Sequence, residues 1–385
     1  MKGLFESELI RKSGTLFFAT LIANIIALLA NLAILRILGT DYFGNFKTVV
    51  YLFAFLPMLI DFGINSSLTK YVAELGKGRV KEAKYVITWF LKIRFISYFL
   101  LILVILLLKD YIAIYFLKDI SFSYLVVAGA LFTGLSVLNA FSFIVLGFQN
   151  IKLFSLYQFL NSVSSASMAL ILSPFGIFYM VIGWGLGPLI ANIPNIWFVL
   201  KKNIFKDYKK VDMRKIFFGF SLPVYPIDLS TNLFNAIIPF LSLFFLPQAM
   251  SYYSFAFMFY FMAVLIPNSL SMVLFPKVSE LNGLKKYGHA KSILRKSLKY
   301  YFPVAVVGII LTFLLSDLFI AFVKADFSPS SLMFKAIVSL GFVFGFNVIY
   351  ANYLKGLGKV KMYAILTLAQ NFILIAVSFI LVSNV

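Results

Sequence analysis

Eleven long apolar stretches dominate this sequence and restrict it to one class of fold. A chain inside hydrocarbon must satisfy its backbone hydrogen bonds internally, and a helix of roughly 20 apolar residues does so while crossing the bilayer. The sequence therefore predicts an all-α fold, a polytopic transmembrane helical bundle. The predicted spans are residues 14–35, 43–63, 85–108, 124–146, 153–174, 178–200, 216–245, 251–275, 301–319, 332–350 and 362–382.

The composition agrees with a lipid environment. Of the 385 residues, 62% are hydrophobic and 12% are charged, and the mean hydropathy is +0.97, which excludes a soluble globular protein. The absence of cysteine and the single histidine, His289, leave little material for a metal site. Because the sequence also lacks a Walker motif and a nucleophile elbow, we predict no cofactor, no metal, no catalytic residues and no enzymatic activity.

The net charge of +20 predicts topology rather than nucleic-acid binding. Most of the 34 Lys and Arg residues fall in alternate loops instead of forming one patch. Under the positive-inside rule, this places the N-terminus in the cytoplasm and the C-terminus outside. No small-residue cleavage site follows the first apolar stretch, so we expect a retained helix. The predicted location is the plasma membrane, with multiple passes.

An internal repeat divides the chain. GFQNIKLFSL from Gly147 matches GLGKVKMYAI from Gly356 at a separation of 209 residues, and KYVAELGKGRVKEAK from Lys70 matches PKVSELNGLKKYGHAK from Pro276. An even number of spans separates the matching loops, so the repeats are expected to be parallel. We predict two pseudo-symmetric halves around a central cleft: residues 1–200 with helices one to six, a basic cytoplasmic linker 201–215, and residues 216–385 with helices seven to eleven.

Polar side chains recur at helical spacing inside four predicted spans, in two pairs related by the repeat. One interpretation is a shared cleft, and the other is a set of interhelical hydrogen bonds of about 0.6 kcal/mol each. The cavity candidates from these stripes are Thr20, Asn24 and Asn31 in helix one, Gln158 and Asn161 in helix five, Asp228, Asn232 and Asn235 in helix seven, and Gln370 and Asn371 in helix eleven.

Charged residues near the predicted membrane ends add further candidates. Arg36 and Lys47 flank the predicted outer mouth, and Arg94 lies near the inner side of helix three. Such side chains either snorkel to lipid phosphates or form a vestibule that attracts anions. Asp61 is expected to cap or tether a loop. Asp228 follows two prolines that free backbone carbonyls. It either couples or gates transport, or pairs with a neighbouring lysine or with backbone groups.

The stretch LRILGTDYFGNF from Leu35, continuing through LIDFGINSSLTKYVAELGKG, resembles the polysaccharide and lipid-linked oligosaccharide flippases of the multidrug, oligosaccharidyl-lipid and polysaccharide exporter (MOP) superfamily. The resemblance implies that the chain flips polyprenyl-pyrophosphate sugars by alternating access for glycan export. It implies a lipid-linked oligosaccharide and membrane lipids as partners, with a coupling ion or proton and no nucleic acid. Members usually have twelve or fourteen helices, and many carry an Asp where this chain offers Asn235.

Three other functions remain open from the residues, one of which is that of a purely structural membrane scaffold. A drug or cation exporter of the same superfamily requires an acidic cleft, whereas acidic residues within the predicted spans are few. A membrane glycosyltransferase or polymerase uses the same lipid substrate but requires a catalytic carboxylate pair or a metal site.

Overall fold

A computed structural model describes residues 2–75, 79–148, 150–231, 237–283, 286–323, 330–357 and 359–383. The chain is helical through nearly all of these ranges, and no strand occurs within them. The predicted all-α fold class is therefore confirmed.

The α-helices of these ranges are numbered in chain order. They are α1 (Lys2–Leu59), α2 (Ile64–Leu75), α3 (Val80–Leu107), α4 (Lys109–Ile112), α5 (Ser123–Ser136), α6 (Ala140–Gly147), α7 (Ile151–Ile171), α8 (Ile177–Lys201), α9 (Met213–Ile216), α10 (Leu222–Thr231), α11 (Ile237–Ser242), α12 (Pro247–Gly283), α13 (Tyr287–Val323), α14 (Ser331–Gly356) and α15 (Val360–Val382). Two π-helical turns, Ala113–Leu117 and Phe217–Ser221, and three short 3-10 turns, Ile120–Phe122, Val137–Asn139 and Ser173–Phe175, occur between them.

Nine helical segments of the described chain are long and apolar enough to cross a membrane, and each overlaps one predicted span. The chain is therefore a multi-pass membrane protein. The nine segments are Leu21–Thr40, Tyr42–Leu59, Val80–Leu107, Ile120–Gly147, Ile177–Lys201, Pro247–Ser271, Tyr287–Ala321, Ser331–Leu354 and Lys361–Val382.

The two remaining predicted spans contain the most polar or irregular helices. Helix α7 has 21 residues, a length of about 30 Å at the helical rise, but its amides and hydroxyls lower its hydropathy. The predicted span 216–245 is divided into α9, a π-helical turn, α10 and α11, and residues 232–236 lie outside the described ranges. Pro223 and Pro226 remove backbone donors here, which explains the irregular helix.

The described chain forms two compact units. The amino-terminal unit comprises Phe18–Leu38 and Asn45–Leu243, and the carboxy-terminal unit comprises Met1–Phe17, Gly39–Gly44 and Phe244–Val385. The amino-terminal unit thus extends beyond predicted helix six and includes α9 to α11. The predicted linker is mostly a non-helical connector that lies along α3, where the Lys209 amide donates to the Lys81 carbonyl at 3.0 Å. The predicted domain limits and central cleft remain predictions.

Two glycines of the family motif are required by backbone geometry. Gly39 has φ 72° and ψ −173° and interrupts α1 between its two apolar arms. Gly63 has φ +72°, and a Cβ there would lie 2.2 Å from the Ser221 carbonyl oxygen. Only glycine adopts such conformations without strain and allows so close an approach. The second glycine therefore sets the contact between the α1–α2 turn and the start of α10.

Backbone hydrogen bonds support the internal repeat. In the first copy, the Phe148 amide donates to Ile144 and the Asn150 amide to Val145, at 3.0 and 3.2 Å. In the second copy, the Leu357 amide donates to Tyr353 and the Lys359 amide to Leu354, at 3.0 and 2.9 Å. Both pairs are offset by the 209 residues found in the sequence match. The two helix–turn–helix segments therefore share one local geometry.

The glycine run of α8, which comprises Gly183, Gly185 and Gly187, packs closely on its neighbours. A Cβ at Gly183 would lie 2.5 Å from the Met168 carbonyl oxygen, and one at Gly187 would lie 1.8 Å from the Ser165 hydroxyl. These distances are shorter than any van der Waals contact. Helices α7 and α8 therefore approach each other in a way that larger residues would prevent.

We expect Gly183→Ala to destabilise the protein by about 1–3 kcal/mol, because the methyl group meets a backbone carbonyl that cannot rotate away. Gly219→Ala is the control, since no atom lies within 4 Å of its Cβ position. Thermal unfolding of both variants in detergent measures the effect. Equal melting temperatures would contradict the packing described for α7 and α8.

Candidate functional site

The amino-terminal unit encloses a cavity of about 580 Å³, called here the polar cavity. Its lining comes from α1, α2, α3, α5, α6, α7, α8, α10 and the turns beside them, and combines ionisable, amide, hydroxyl and aromatic side chains. The volume falls within the range of about 300–1,000 Å³ typical of ligand pockets. Polar groups that are costly in a lipid environment are therefore gathered around one space.

A buried ion pair lies in the wall of the polar cavity. Arg94 Nη1 donates to Asp61 Oδ1 at 3.0 Å and to Asn65 Oδ1 at 2.6 Å, and Nη2 donates to the Tyr98 hydroxyl at 3.1 Å. Arg94 is only 4% exposed. An isolated charge is strongly disfavoured in such surroundings, so each partner depends on the other.

Local backbone geometry positions Asp61 for this pairing. Asp61 lies in the turn between α1 and α2, and the next residue, Phe62, has φ 48°. The Ile64 amide donates to the Asp61 carbonyl at 2.9 Å, and the Asn65 amide lies 3.4 Å from its Oδ2. The predicted loop-capping role of Asp61 is thus present, and the same carboxylate also holds Arg94.

A second carboxylate enters the polar cavity from α10. The Ser66 hydroxyl donates to Asp228 Oδ2. The Tyr225 hydroxyl donates to the Leu59 carbonyl at 2.7 Å, which fastens α10 to the end of α1. Together with the close contact at Gly63, these bonds fix where Asp228 lies.

Two polar atoms of the lining have no hydrogen-bond partner among the described residues. They are Nε of Arg94, a donor, and Oδ1 of Asn161, an acceptor. Buried groups of this kind are rare in folded proteins, and each calls for water or a ligand. Two residues of the lining therefore each keep one buried polar atom without a protein partner, a donor in Arg94 and an acceptor in Asn161. Among the described residues, no acidic or histidine cluster is suited to a metal ion.

A buried lysine lies close to another part of the lining. Lys47 is 2% exposed and donates to Asn31 Oδ1. Its ammonium nitrogen lies 5.1 Å from the ring centroid of Trp184, which lines the polar cavity. Contacts of this length between a cation and an aromatic ring are attractive.

The structure brings together only some of the predicted site residues. Arg94, Asn161 and Asp228 line the polar cavity, and Lys47 and Asn31 form the neighbouring pair. Snorkelling is wrong for Lys47 and Arg94, because both are buried by protein contacts. Arg36 is exposed, and Asn24 and Gln158 are half-buried outside the lining. The side chain of Thr20, and both Asn232 and Asn235, lie outside the described part of the chain.

The remaining candidates belong to the carboxy-terminal unit. Gln370 is buried and accepts a hydrogen bond from Asn347 at 2.6 Å, and Asn371 is buried beside it. Gln370 is the repeat counterpart of Asn161. The interhelical hydrogen-bond interpretation therefore fits Gln370, whereas the Asn161 oxygen remains unpaired in the polar cavity.

The sequence analysis missed several lining residues, which are Asn65, Ser66, Tyr98, Asn139, Tyr157 and Tyr225, and it did not assign Asp61 to the cavity. The only sequence signal for the ion pair was the presence of one acid and one arginine near the predicted inner ends of adjacent helices. Spacing along the chain does not reveal that they meet.

We expect a double-mutant cycle to show strong coupling between Asp61 and Arg94. Asp61→Asn or Arg94→Gln alone leaves a buried charge unpaired, at a cost of about 3–5 kcal/mol. The double variant removes both charges and should lose much less stability than the two single losses added together. Thermal unfolding in detergent measures the stability of the wild type, both single variants and the double variant. Strictly additive losses of stability would contradict the ion pair.

Comparison with known proteins identifies the family. Residues 9–282 match the polysaccharide biosynthesis protein family. No curated protein sequence gives a significant match. Similar solved structures include the lipid II flippase MurJ in an inward closed conformation, with TM-score 0.70 and 16% identity over 95% of this chain and 86% of that one.

Two transporters of the MOP superfamily are also similar. An inward-facing multidrug resistance MATE family transporter gives TM-score 0.68 and 11% identity over 95% of this chain and 84% of that one. A Pyrococcus furiosus transporter gives TM-score 0.65 and 12% identity over 97% of this chain and 95% of that one. These matches show that the chain shares its fold with these solved structures. The chain belongs to the polysaccharide biosynthesis protein family, as the motifs around Gly39 and Gly63 indicated.

Proposed function

We propose that this protein flips lipid-linked oligosaccharide, a polyprenyl-pyrophosphate sugar, across the plasma membrane by alternating access. The observation that carries the proposal is the polar cavity, which places a buried arginine and unpaired polar atoms inside a membrane-embedded unit. Membership of the polysaccharide biosynthesis protein family supports a glycan-related substrate.

The physical problem is the head group of such a lipid. A pyrophosphate ion in hydrocarbon is disfavoured by tens of kcal/mol on a Born estimate, and each sugar hydroxyl adds to the penalty. A cavity lined with polar groups replaces the water that the head group loses, while the polyprenyl tail remains in the bilayer. The volume of about 580 Å³ fits a short saccharide better than a long polysaccharide chain.

The unused groups of the cavity match this chemistry. A guanidinium binds phosphate through charge-assisted, often bidentate hydrogen bonds, and Arg94 Nε still has a hydrogen to donate. The unpaired Asn161 oxygen accepts a hydrogen bond, which a sugar hydroxyl donates. One donor for phosphate and one acceptor for a hydroxyl are what a sugar linked through pyrophosphate requires.

Charge balance predicts a coupled cation. When ionised, the lining carries the carboxylates of Asp61 and Asp228 against the guanidinium of Arg94. Entry of a pyrophosphate therefore adds negative charge beside two acids, and like charges in a low dielectric repel strongly. Uptake of a proton or another cation by Asp61 or Asp228 relieves this repulsion. We expect flipping to depend on a proton or ion gradient.

The same two carboxylates favour one alternative, export of an organic cation or drug. Under this alternative Asp228 neutralises the cargo, and Arg94 serves only to hold Asp61. Efflux of a cationic dye from proteoliposomes, competed by other cations and lost in Asp228→Asn, would support it. If dye efflux is the same with and without the protein, export of an organic cation is excluded.

We expect Arg94→Gln, made together with Asp61→Asn so that no charge is left unpaired, to reduce flipping of undecaprenyl-pyrophosphate disaccharide at least about tenfold. The reason is the loss of a charge-assisted hydrogen bond to phosphate, worth about 1.5–3 kcal/mol. Translocation is measured in proteoliposomes by protection of the sugar from an external glycosidase. Lys92→Gln is the matched control, because Lys92 is a basic residue of the same helix and is exposed.

Two results would contradict the proposal. One is failure of the folded wild-type protein to translocate any lipid-linked sugar under an imposed proton or sodium gradient. The other is a rate for the Arg94→Gln, Asp61→Asn variant equal to that of Lys92→Gln.

A further inference from the structure

Trp184 lines the polar cavity but takes no part in the pairing of its charged groups. It lines the cavity from α8 and stands between Gly183 and Gly185. A Cβ at Gly185 would lie 3.0 Å from the Cα of Phe132 in α5, and the one at Gly183 would lie 2.5 Å from a carbonyl oxygen of α7. The two glycines therefore let α8 approach two neighbouring helices closely. Trp184, which has the largest type of side chain, stands between these glycines at the cavity wall.

The indole ring is held in place by its neighbours. Phe46 meets it edge-on, with ring centroids 5.9 Å apart and an interplanar angle of 81°. The Lys47 ammonium nitrogen lies 5.1 Å from the centre of its ring, and Trp184 lines the cavity whereas Lys47 does not. Lys47 thus has a supporting position rather than a place in the lining. A fixed aromatic surface loses little conformational entropy on binding a ligand.

Trp184 and Arg94 line the polar cavity from different helices, α8 and α3. Trp184 lies beside Lys47, and Arg94 pairs with Asp61. Lys47 and Asp61 lie on α1 and the turn that follows it, and their separation in the chain corresponds to roughly 20 Å at the helical rise. The partners of Trp184 and Arg94 are thus far apart along the chain, and a head group that contacts both lining residues has its sugar near one and its phosphate near the other.

We propose that Trp184 is the stacking surface for a pyranose ring of the transported saccharide, while the phosphate binds at Arg94. This inference rests on the proposed function. A pyranose has a face of C–H groups and a rim of hydroxyls, and the negative face of an aromatic ring attracts the partly positive C–H hydrogens. Asn161, Tyr157 and Ser165 line the same cavity and supply hydrogen bonds to the rim.

The inference predicts specificity for a sugar-bearing lipid over the bare carrier. Stacking depends on the C–H face and tolerates different hydroxyl patterns, so one pyranosyl probe serves as a general test. The probes are undecaprenyl pyrophosphate carrying an N-acetylglucosamine disaccharide and undecaprenyl pyrophosphate without sugar. Binding of both to purified protein in nanodiscs is measured as a ratio of affinities.

We expect Trp184→Leu to weaken binding of the sugar-bearing lipid about fivefold to tenfold, and to leave binding of the sugar-free lipid within about twofold. Trp184→Phe keeps an aromatic face and should retain most of the preference. Trp197→Leu is the matched control, because Trp197 is also in α8 and is 64% exposed. A general loss of structure would weaken the binding of both lipids equally, so it is distinguished from the loss of the stacking surface.

Tryptophan fluorescence gives a direct reading. The chain has three tryptophans, and Trp89→Phe with Trp197→Phe leaves Trp184 as the sole reporter. The disaccharide lipid should shift or quench its emission, and the sugar-free lipid should not. Equal affinity ratios in Trp184→Leu and wild type, or identical emission with both lipids, would overturn the inference. If the sugar-free lipid still binds through Arg94, such a result contradicts the inference but not the proposed function. Failure of both lipids to bind would contradict the inference and the proposed function alike.

Discussion

Burial of charge inside a membrane-embedded protein is the constraint on which the site depends. The Arg94 guanidinium is surrounded by protein, and it is tolerated because Asp61, Asn65 and Tyr98 accept its hydrogen bonds. Each of these acceptors requires a specific backbone. The left-handed residues Phe62 and Gly63 turn the chain between α1 and α2, so that Asp61 faces α3. The same turn receives α10 at Ser221 and thereby positions Asp228.

The repeat provides two copies of one helix–turn–helix geometry, and the matching polar positions of the two copies make different contacts. In the carboxy-terminal copy the amide of Gln370 is joined to Asn347, which is a structural hydrogen bond between α14 and α15. At the matching position Asn161 has an unpaired oxygen in the polar cavity. At this pair of matching positions, the amide is therefore bonded to a neighbouring helix in one copy, and its oxygen is without a protein partner in the other.

Much of the architecture was predictable from hydropathy, because lipid demands helices of a given length. Helical spacing also predicted that Asn161 and Asp228 were placed to line a cavity. The pairing of Asp61 with Arg94 was not predictable, since contacts between helices depend on rotation and register that one sequence does not encode visibly. Lys47 was misinterpreted for the same reason: an end-of-helix lysine usually snorkels, but here Trp184 and Asn31 enclose it.

The central claim is that the amino-terminal unit contains a wet, ligand-accessible cavity. The chain lacks cysteine, so a single Asn161→Cys substitution can be probed in intact membranes with a water-soluble, membrane-impermeant thiol reagent, and Gln370→Cys is the matched comparison. The account predicts labelling of Asn161→Cys, protection of that position by undecaprenyl-pyrophosphate disaccharide, and little labelling of Gln370→Cys. An unreactive Asn161→Cys from both sides of the membrane, in protein that folds normally, would contradict it.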